Sequence, residues 1–183
     1  MSQLKWEPTP KGPVAFLEPY YPYRVRNESG HQEVNPKKNQ FTTLILDLKV
    51  NNPKACHRIF TALNGEIGSG TAITVVPSSD PTKGPTGIRT VAEMLAASKN
   101  RTDATHCLVR HKPIAKLATG GNRNIAVHLS SIEVAEPMRI KNKVVWLLDD
   151  VMTSGNSLIA CQKLLIDAGA AKVHMLALGK TTH

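Results

Sequence analysis

The chain has 183 residues, a length that fits one domain, and 41% of them are hydrophobic, which is enough for a buried core. Aromatic residues make up only 4%, so the core must be mainly aliphatic. The formal net charge of +9 indicates a nucleic-acid partner, a polyphosphate ligand or simply a solubilising basic surface, and charge alone does not choose among them.

Cysteine spacing and apolar runs bear on the cellular compartment. Cys56, Cys107 and Cys161 are far apart, and no cysteine or histidine pair has the spacing of a zinc site. We expect reduced, partly buried thiols, which suit a cytoplasmic protein. The polar, proline-containing N-terminus resembles neither a signal peptide nor an anchor, and no apolar run is long enough to cross a membrane.

The first 65 residues are predicted to contain an irregular segment, a strand and a helix. Residues 1–40 are punctuated by prolines and are predicted to be irregular, with a polar loop at 27–40. Residues 40–50, QFTTLILDLKV, alternate imperfectly between apolar and polar positions, which predicts a strand. Residues 54–65 predict a helix that ends at Asn64 and Gly65.

Strands and helices alternate in the rest of the chain. Strands are predicted at 72–76, 106–110, 144–150 and 171–181, with a strand or hairpin arm at 125–134. Helices are predicted at 85–99 and 158–170, and polar loops at 77–84 and 111–124. This alternation, with aliphatic strands, favours an α/β fold of three layers with a mainly parallel central sheet.

The stretch at 144–157, VVWLLDDVMTSGNS, carries most of the functional information. Its apolar strand leads to a small-residue loop (residues 153–157) and then to a helix. Free N–H groups and the helix dipole favour an anion at such a helix start, and Gly155 permits a tight turn and close approach. The hydroxyls of Thr153, Ser154 and Ser157 can donate to a phosphate. No lysine follows, so this is not the P-loop of a nucleotide triphosphatase.

Two adjacent carboxylates end the same strand, and we call Asp149 and Asp150 the acidic pair. Neighbouring side chains of a strand point to opposite sides, so one carboxylate would face the anion. Ionised carboxylates accept hydrogen bonds from polyol hydroxyls, and they also suit Mg²⁺, held directly or through water. The alternative is a charged strand end without a ligand. Together, acidic pair and loop indicate a phosphate joined to a polyol.

VVWLLDDVMTSGNS resembles the phosphoribosyl-pyrophosphate (PRPP) signature of type I phosphoribosyltransferases. That signature has four apolar residues, an acidic pair, two apolar residues and a small-residue loop, and Trp146 is bulkier than the usual aliphatic residue. The resemblance implies that the 5-phosphate is bound by the residues that follow the acidic pair, namely Val151, Met152, Thr153, Ser154, Gly155, Asn156 and Ser157.

The resemblance extends over about residues 70–181. It assigns a pyrophosphate loop to residues 77–80, where Ser78, Ser79 and Asp80 lie, together with Arg110. A basic loop at 110–123 is the candidate for the flexible loop that closes over pyrophosphate. VAEMLA in the second predicted helix and LVR before the basic loop are similar to the branch related to competence protein F.

What the resemblance implies can be stated as expectations. The protein would transfer ribose 5-phosphate from PRPP to an unidentified base or amine, release pyrophosphate and depend on Mg²⁺. The expected catalytic residues are Asp149, Asp150, Lys112, Lys116 and Arg123. Family members hold the acceptor with a hood outside the core, which suggests an N-terminal extension and hood at 1–65 and a transferase core at 66–183. Family members are often homodimers.

The sequence also departs from the family pattern. It has no cysteine set for the zinc module that is frequent in the competence-related branch, and the Arg-Gly-Phe-Asn run of that branch is missing. Thr153 stands where the purine-salvage branch has a general-base aspartate, which argues against hypoxanthine or guanine as acceptor. Two alternatives remain: a regulator that binds PRPP or a nucleotide without turnover, associated with nucleic acid although no nucleic-acid motif occurs, and a structural partner with a vestigial pocket.

Overall fold

The computed structural model describes residues 4–9, 11–80, 82, 84–114 and 124–182. The strands are β1 (Lys5–Glu7), β2 (Val14–Tyr20), β3 (Arg24–Arg26), β4 (Gln32–Val34), β5 (Ala72–Val75), β6 (Thr102–Asp103), β7 (Leu108–Arg110), β8 (Ile132–Val134), β9 (Val144–Met152) and β10 (Lys172–Thr181). The helices are α1 (Gln40–Lys49), α2 (Pro53–Asn64), α3 (Gly87–Ala96), α4 (Ile125–Leu129) and α5 (Asn156–Asp167), with a 3₁₀ turn at Pro137–Arg139.

A central sheet with the strand order β1-β2-β10-β9-β5-β6 organises the molecule. Every neighbouring pair in it is parallel except β1 and β2, which run antiparallel. Helices α1, α2 and α3 contribute to the core on one face, while α5 contributes to the core on the other face, where α4 packs against it. The expected three-layer, mainly parallel α/β fold is therefore confirmed.

The central strand β9 is buried on both faces along residues 145–148, as the apolar run before the acidic pair predicts. Trp146 and Leu148 belong to the core beneath α1–α3, while Val145 and Leu147 belong to the core beneath α5. This alternation follows from the two-residue period of a strand. Because β9 lies between β10 and β5, its carboxyl end is held from both sides.

The prediction that residues 1–40 are irregular is wrong. Val14–Tyr20 is a strand of the central sheet, and Val14, Ala15 and Leu17 in it are buried. Within the described part of the chain, β1 pairs with residues 14–16 of β2, so Pro19 lies beyond the residues that pair with β1. Residues 24–26 and 32–34 also form a small antiparallel hairpin, β3–β4.

The strand predicted at 40–50 is also wrong, because this segment is helix α1. Asn39 caps it: the Asn39 side chain accepts the backbone N–H of Thr42 at 2.9 Å, and the Thr42 hydroxyl accepts the Asn39 N–H. Thr42, Ile45 and Leu48 are buried at a spacing of three residues, which is the spacing of a helix face.

Two predictions further along the chain need correction. The strand expected at 106–110 is shortened to β7, which pairs antiparallel with β8 outside the central sheet. The segment at 125–134, expected as a strand or hairpin arm, begins as helix α4 because Asn124 accepts the N–H of Val127 at 3.0 Å, and only its end is strand β8.

Other predictions are confirmed. Helix α2, strand β5, helix α3, strand β9, helix α5 and strand β10 all lie within or close to the predicted ranges. Cys56, Cys107 and Cys161 are free and buried. Across the described part of the chain, no helix has the length and apolar character needed to span a membrane. Strand β2 is part of the central sheet, and helix α1 packs on its core. The role of residues 1–65 as a hood that binds the acceptor stays a prediction.

Candidate active site

The carboxyl ends of four parallel strands meet at one edge of the sheet. Strands β2, β10, β9 and β5 run in the same direction, so Tyr20, Thr181, the acidic pair and the 77–80 loop emerge at this edge. The N–H of Val76 donates to the carbonyl of Leu148 at 2.9 Å, so the 77–80 loop starts beside the acidic pair. Ligands of open α/β sheets bind at such an edge.

All four oxygens of the acidic pair accept hydrogen bonds from the protein. Asp149 Oδ1 accepts the N–H of Asp150 at 2.9 Å, and Asp149 Oδ2 accepts the Ser157 hydroxyl at 3.1 Å. Asp150 Oδ1 accepts the N–H of Val151 at 2.7 Å, and Asp150 Oδ2 accepts from Lys49 Nζ. Each carboxylate is thus fixed in orientation, and each oxygen keeps a second lone pair for a ligand.

The electrostatics of Asp149 differ from those of a surface carboxylate. Burial raises the pKa of Asp149 to about 7, and the negative charge of Asp150 adds to this effect, while the hydrogen bond from Ser157 and the charge of Lys49 oppose it. Burial also raises the pKa of the nearby Cys161 thiol, with a further contribution from Asp149. That thiol therefore stays protonated, which makes it a poor nucleophile.

Lys49 is a site residue that the sequence analysis missed. It is the last residue of α1 and forms an ion pair with Asp150. Burial by itself would lower the pKa of Lys49, but the charge and hydrogen bond of Asp150 outweigh burial, so the pKa is raised and the ammonium stays charged. Tyr20 lies close to both groups, and burial raises the pKa of its phenol.

Local sequence does not mark Lys49 as a neighbour of the acidic pair. The sequence predicts a strand at 40–50, in which nothing distinguishes Lys49 from other surface lysines. The Asn39 and Thr42 capping residues would have indicated a helix that starts there. No sequence signal would have paired Lys49 with Asp150, which lies 101 positions later.

The small-residue loop turns the chain from β9 into α5. Gly155 has a φ of +74°, a left-handed conformation that side chains rarely adopt. Among the described residues, no side chain caps the start of α5, and its first backbone hydrogen bond runs from the N–H of Ile159 to the carbonyl of Gly155 at 2.9 Å. An uncapped helix start of this kind leaves N–H groups to bind an anion.

The remaining residues of the predicted 5-phosphate site differ in what they can offer. Thr153 and Ser154 are exposed, and the Thr153 hydroxyl lies 2.9 Å from the Thr181 hydroxyl. Val151 and Met152 pack against the two cores, so they can offer only backbone groups to a ligand. The structure thus brings Ser157 and the small-residue loop next to the acidic pair, as predicted.

The residues predicted to bind pyrophosphate hydrogen-bond to neighbouring protein groups. Arg110 is only 3% exposed, and its guanidinium donates to the carbonyl of Ser78 at 2.7 Å and to the hydroxyl of Ser131 at 2.5 Å. The carbonyl of Ser79 accepts the N–H of Ile114 at 3.0 Å, and Asp80 accepts from the N–H and hydroxyl of Thr82. Arg110 therefore fixes the 77–80 loop from behind.

A cavity of about 570 Å³ lies beside the 77–80 loop. The acidic pair and the small-residue loop are not among the residues that line it. Its polar lining residues include Ser78, Asp80, Thr86, Arg89, His106, Arg110 and Glu136. Of the predicted residues of the basic loop, Lys112 is exposed, while Lys116 and Arg123 lie outside the described residues.

Comparisons with known proteins identify no family for this chain. No protein-family model matches the chain, and no curated protein matches it either. Two crystal structures of a hypoxanthine phosphoribosyltransferase from Staphylococcus aureus are similar to it. The orthorhombic form is 11% identical with a TM-score of 0.37 and covers 76% of this chain and 75% of its own. The tetragonal form is 11% identical with a TM-score of 0.36 and covers 75% and 74%. Similarity at this level does not assign a function.

Proposed function

We propose that the protein is a phosphoribosyltransferase that transfers ribose 5-phosphate from PRPP to a base or amine and releases pyrophosphate. The observation that carries this proposal is the hydrogen bond between Ser157 and Asp149, which joins the uncapped start of α5 to the acidic pair. A group that binds phosphate and a group that binds ribose hydroxyls are thereby neighbours in one site.

The small-residue loop would bind the 5-phosphate. Backbone N–H groups at the start of α5, including that of Ser157, would donate to its oxygens together with the hydroxyls of Thr153 and Ser154, because the single hydroxyl proton of Ser157 goes to Asp149. Asn156 is the first residue of the helix and completes this donor set. The left-handed turn at Gly155 keeps side-chain atoms away from the anion.

The acidic pair would bind the ribose hydroxyls. Both carboxylates are held by the protein and retain acceptor capacity on each oxygen. In the transfer reaction the bond between the anomeric carbon and pyrophosphate breaks, and a bond to the acceptor nitrogen forms. Positive charge builds up on the sugar during this step, and the acidic pair in its ionised form would stabilise it.

Mg²⁺ is the cofactor that this proposal requires. Magnesium prefers oxygen ligands and is bound by one or two carboxylates together with water and substrate phosphates. The oxygens of Asp149 and Asp150 fit this pattern, so we expect them to hold the ion directly or through water. When bound, Mg²⁺ would offset part of the charge of pyrophosphate.

The pyrophosphate end would depend on basic residues. The 77–80 loop, which contains Ser78, Ser79 and Asp80, starts beside the acidic pair, and Arg110 holds it through the carbonyl of Ser78. We propose that Lys112, Lys116 and Arg123 neutralise the departing pyrophosphate and that closure of the basic loop excludes water, which would otherwise hydrolyse the donor.

The acceptor is a base or amine other than hypoxanthine or guanine in this proposal. In the purine-salvage branch an aspartate opens the small-residue loop and serves as a general base. Here Thr153 occupies that position, and its hydroxyl is paired with that of Thr181. Residues 1–65 would supply the hood that selects the acceptor, and assembly into a homodimer stays a prediction.

A second function is supported by the charge of the chain. The net charge of +9, with Arg24 and Arg26 exposed on the β3–β4 hairpin, would suit a PRPP-binding or nucleotide-binding regulator that associates with nucleic acid. Such a protein would bind PRPP at the same site without turnover.

Calorimetry with PRPP and Mg²⁺ tests the site, and pyrophosphate release with a panel of bases and amines tests turnover. We expect the wild type to bind PRPP and the Asp149→Asn and Asp150→Asn variants to bind it at least tenfold more weakly, about 1.4 kcal/mol. Asp167→Asn, an exposed residue paired with Lys163, is the matched control. Binding without turnover and a salt-dependent RNA or DNA shift would favour the regulator, and absence of binding would reject both functions.

A further inference from the structure

We infer that Lys49 is a positioning residue that holds Asp150 in the orientation needed to bind a ribose hydroxyl. This inference rests on the proposed function of the same site. It assigns a role at the site to a residue from α1, outside the β9–α5 segment that carries the signature.

The contacts of Asp150 motivate the inference. Its Oδ1 accepts the N–H of Val151 from its own strand, whereas its Oδ2 accepts from Lys49 Nζ. Lys49 forms an ion pair with this carboxylate, and its positive charge also acts on Asp149. Without the ammonium, the second oxygen of Asp150 would lose its partner, and the two adjacent carboxylates would repel each other without a counter-charge.

The position of Lys49 is fixed by tertiary structure. Its helix begins at a capping box and packs through Thr42, Ile45 and Leu48, so its last turn has a defined place. The end of α1 also approaches α3 very closely: a Cβ atom on Gly87 would lie 2.0 Å from the carbonyl oxygen of Leu48. Lys49 follows that carbonyl directly, and a cation is favourable at the end of a helix.

The ion pair is accessible from solvent. The side chain of Lys49 is 43% exposed and that of Asp150 is 27% exposed. Exposed ion pairs contribute little to folding stability, so we expect a Lys49 variant to stay folded. A ligand can reach Asp150 while Lys49 remains bound to it, because each carboxylate oxygen has a second lone pair.

Two small probes separate the role of Lys49 from the rest of the site. Inorganic phosphate needs only the small-residue loop, whereas ribose 5-phosphate also needs the acidic pair. We expect Lys49→Met to bind ribose 5-phosphate about tenfold more weakly than the wild type in calorimetry, with phosphate affinity unchanged, because the lost charge-assisted contact disturbs the acidic pair and leaves the small-residue loop intact. Lys49→Arg should restore most of the affinity, since it keeps the charge.

Lys163→Met is the matched control, because Lys163 forms an exposed ion pair with Asp167 on α5. Equal ribose 5-phosphate affinity in Lys49→Met and the wild type would overturn the role of Lys49 and leave the proposed function standing. An equal loss of affinity for phosphate and for ribose 5-phosphate would also overturn the role of Lys49, because the defect would then extend beyond the acidic pair. If the wild type binds phosphate but not ribose 5-phosphate, the proposed function itself fails.

Discussion

Ser157 Oγ donates a hydrogen bond of 3.1 Å to Asp149 Oδ2, and this contact ties the first turn of α5 to the end of β9. The same hydroxyl lies in the small-residue loop proposed to bind the 5-phosphate. Ser157 is therefore the residue through which the two halves of the site influence each other.

Replacement of Ser157 by Ala should weaken PRPP binding. The variant leaves Asp149 Oδ2 without its hydroxyl partner and so loosens the link between the start of α5 and the acidic pair, and we expect about a tenfold loss of affinity. Calorimetry measures the effect. Ser130→Ala, an exposed serine after α4 that donates to the carbonyl of Val127, should bind like the wild type. Unchanged binding in Ser157→Ala would contradict the proposed link between the phosphate and ribose parts of the site.

The raised pKa of Asp149 predicts a pH dependence of stability. Its pKa is about 7 in the folded protein, above the ordinary value of an aspartate, so the folded state holds the proton more tightly than the unfolded state. The folded protein therefore loses stability as the pH rises from the ordinary aspartate range through about 7, and below that range the penalty is absent.

The Asp149→Asn variant removes this titration. We expect the difference in unfolding free energy between the variant and the wild type to grow, in favour of the variant, by on the order of 1–2 kcal/mol from about pH 5 to about pH 8. The effect is limited to this size because solvent reaches part of the Asp149 carboxylate. Urea unfolding at both pH values measures it. A difference between variant and wild type that does not change with pH would show that Asp149 titrates normally.

Gly155→Ala should destabilise the turn between β9 and α5. A φ of +74° strains any residue with a side chain, and the added Cβ would lie 3.3 Å from Met152 Sδ. We expect a loss of about 1 kcal/mol in the free energy of unfolding together with weaker phosphate binding. Gly68→Ala, at a position with open space and an ordinary φ, is the control. Comparable losses in both variants would mean that the turn is not strained.

Thr74→Val should stabilise the protein. The Thr74 hydroxyl is buried in β5 and has no hydrogen-bond partner within the described part of the chain. Valine has nearly the same shape and does not carry a polar group into the core, so we expect a gain of about 1 kcal/mol in thermal or urea unfolding. A loss of stability would indicate that the hydroxyl is bonded in solution.

Sequence patterns predicted the site best where its signals are local. The apolar run, the acidic pair and the small-residue loop are contiguous, and the fold brings them together because a strand, a turn and a helix follow one another. The strand-helix alternation from residue 72 onward predicted the three layers for the same reason.

The errors arose where distant residues decide the structure. Apolar residues of α1 fit both a strand and a helix, and the core formed with α2 and α3 selects the helix. The contacts of Arg110 with Ser78 and Ser131, which come from separate segments, have no local sequence signal either, and its role as a ligand-binding residue stays a prediction. Lys49 meets Asp150 across 101 positions, which no local pattern encodes.

The position of β2 inside the sheet limits how the chain can be divided. Residues 14–16 and 18–20 pair with β10, whose stretch from Met175 to Leu178 is almost completely buried. Removal of the N-terminal segment would turn β10 into a long apolar edge strand, a template for pairing with another chain. We therefore expect fragments that begin near residue 66 to aggregate, so functional work should keep the first strands attached.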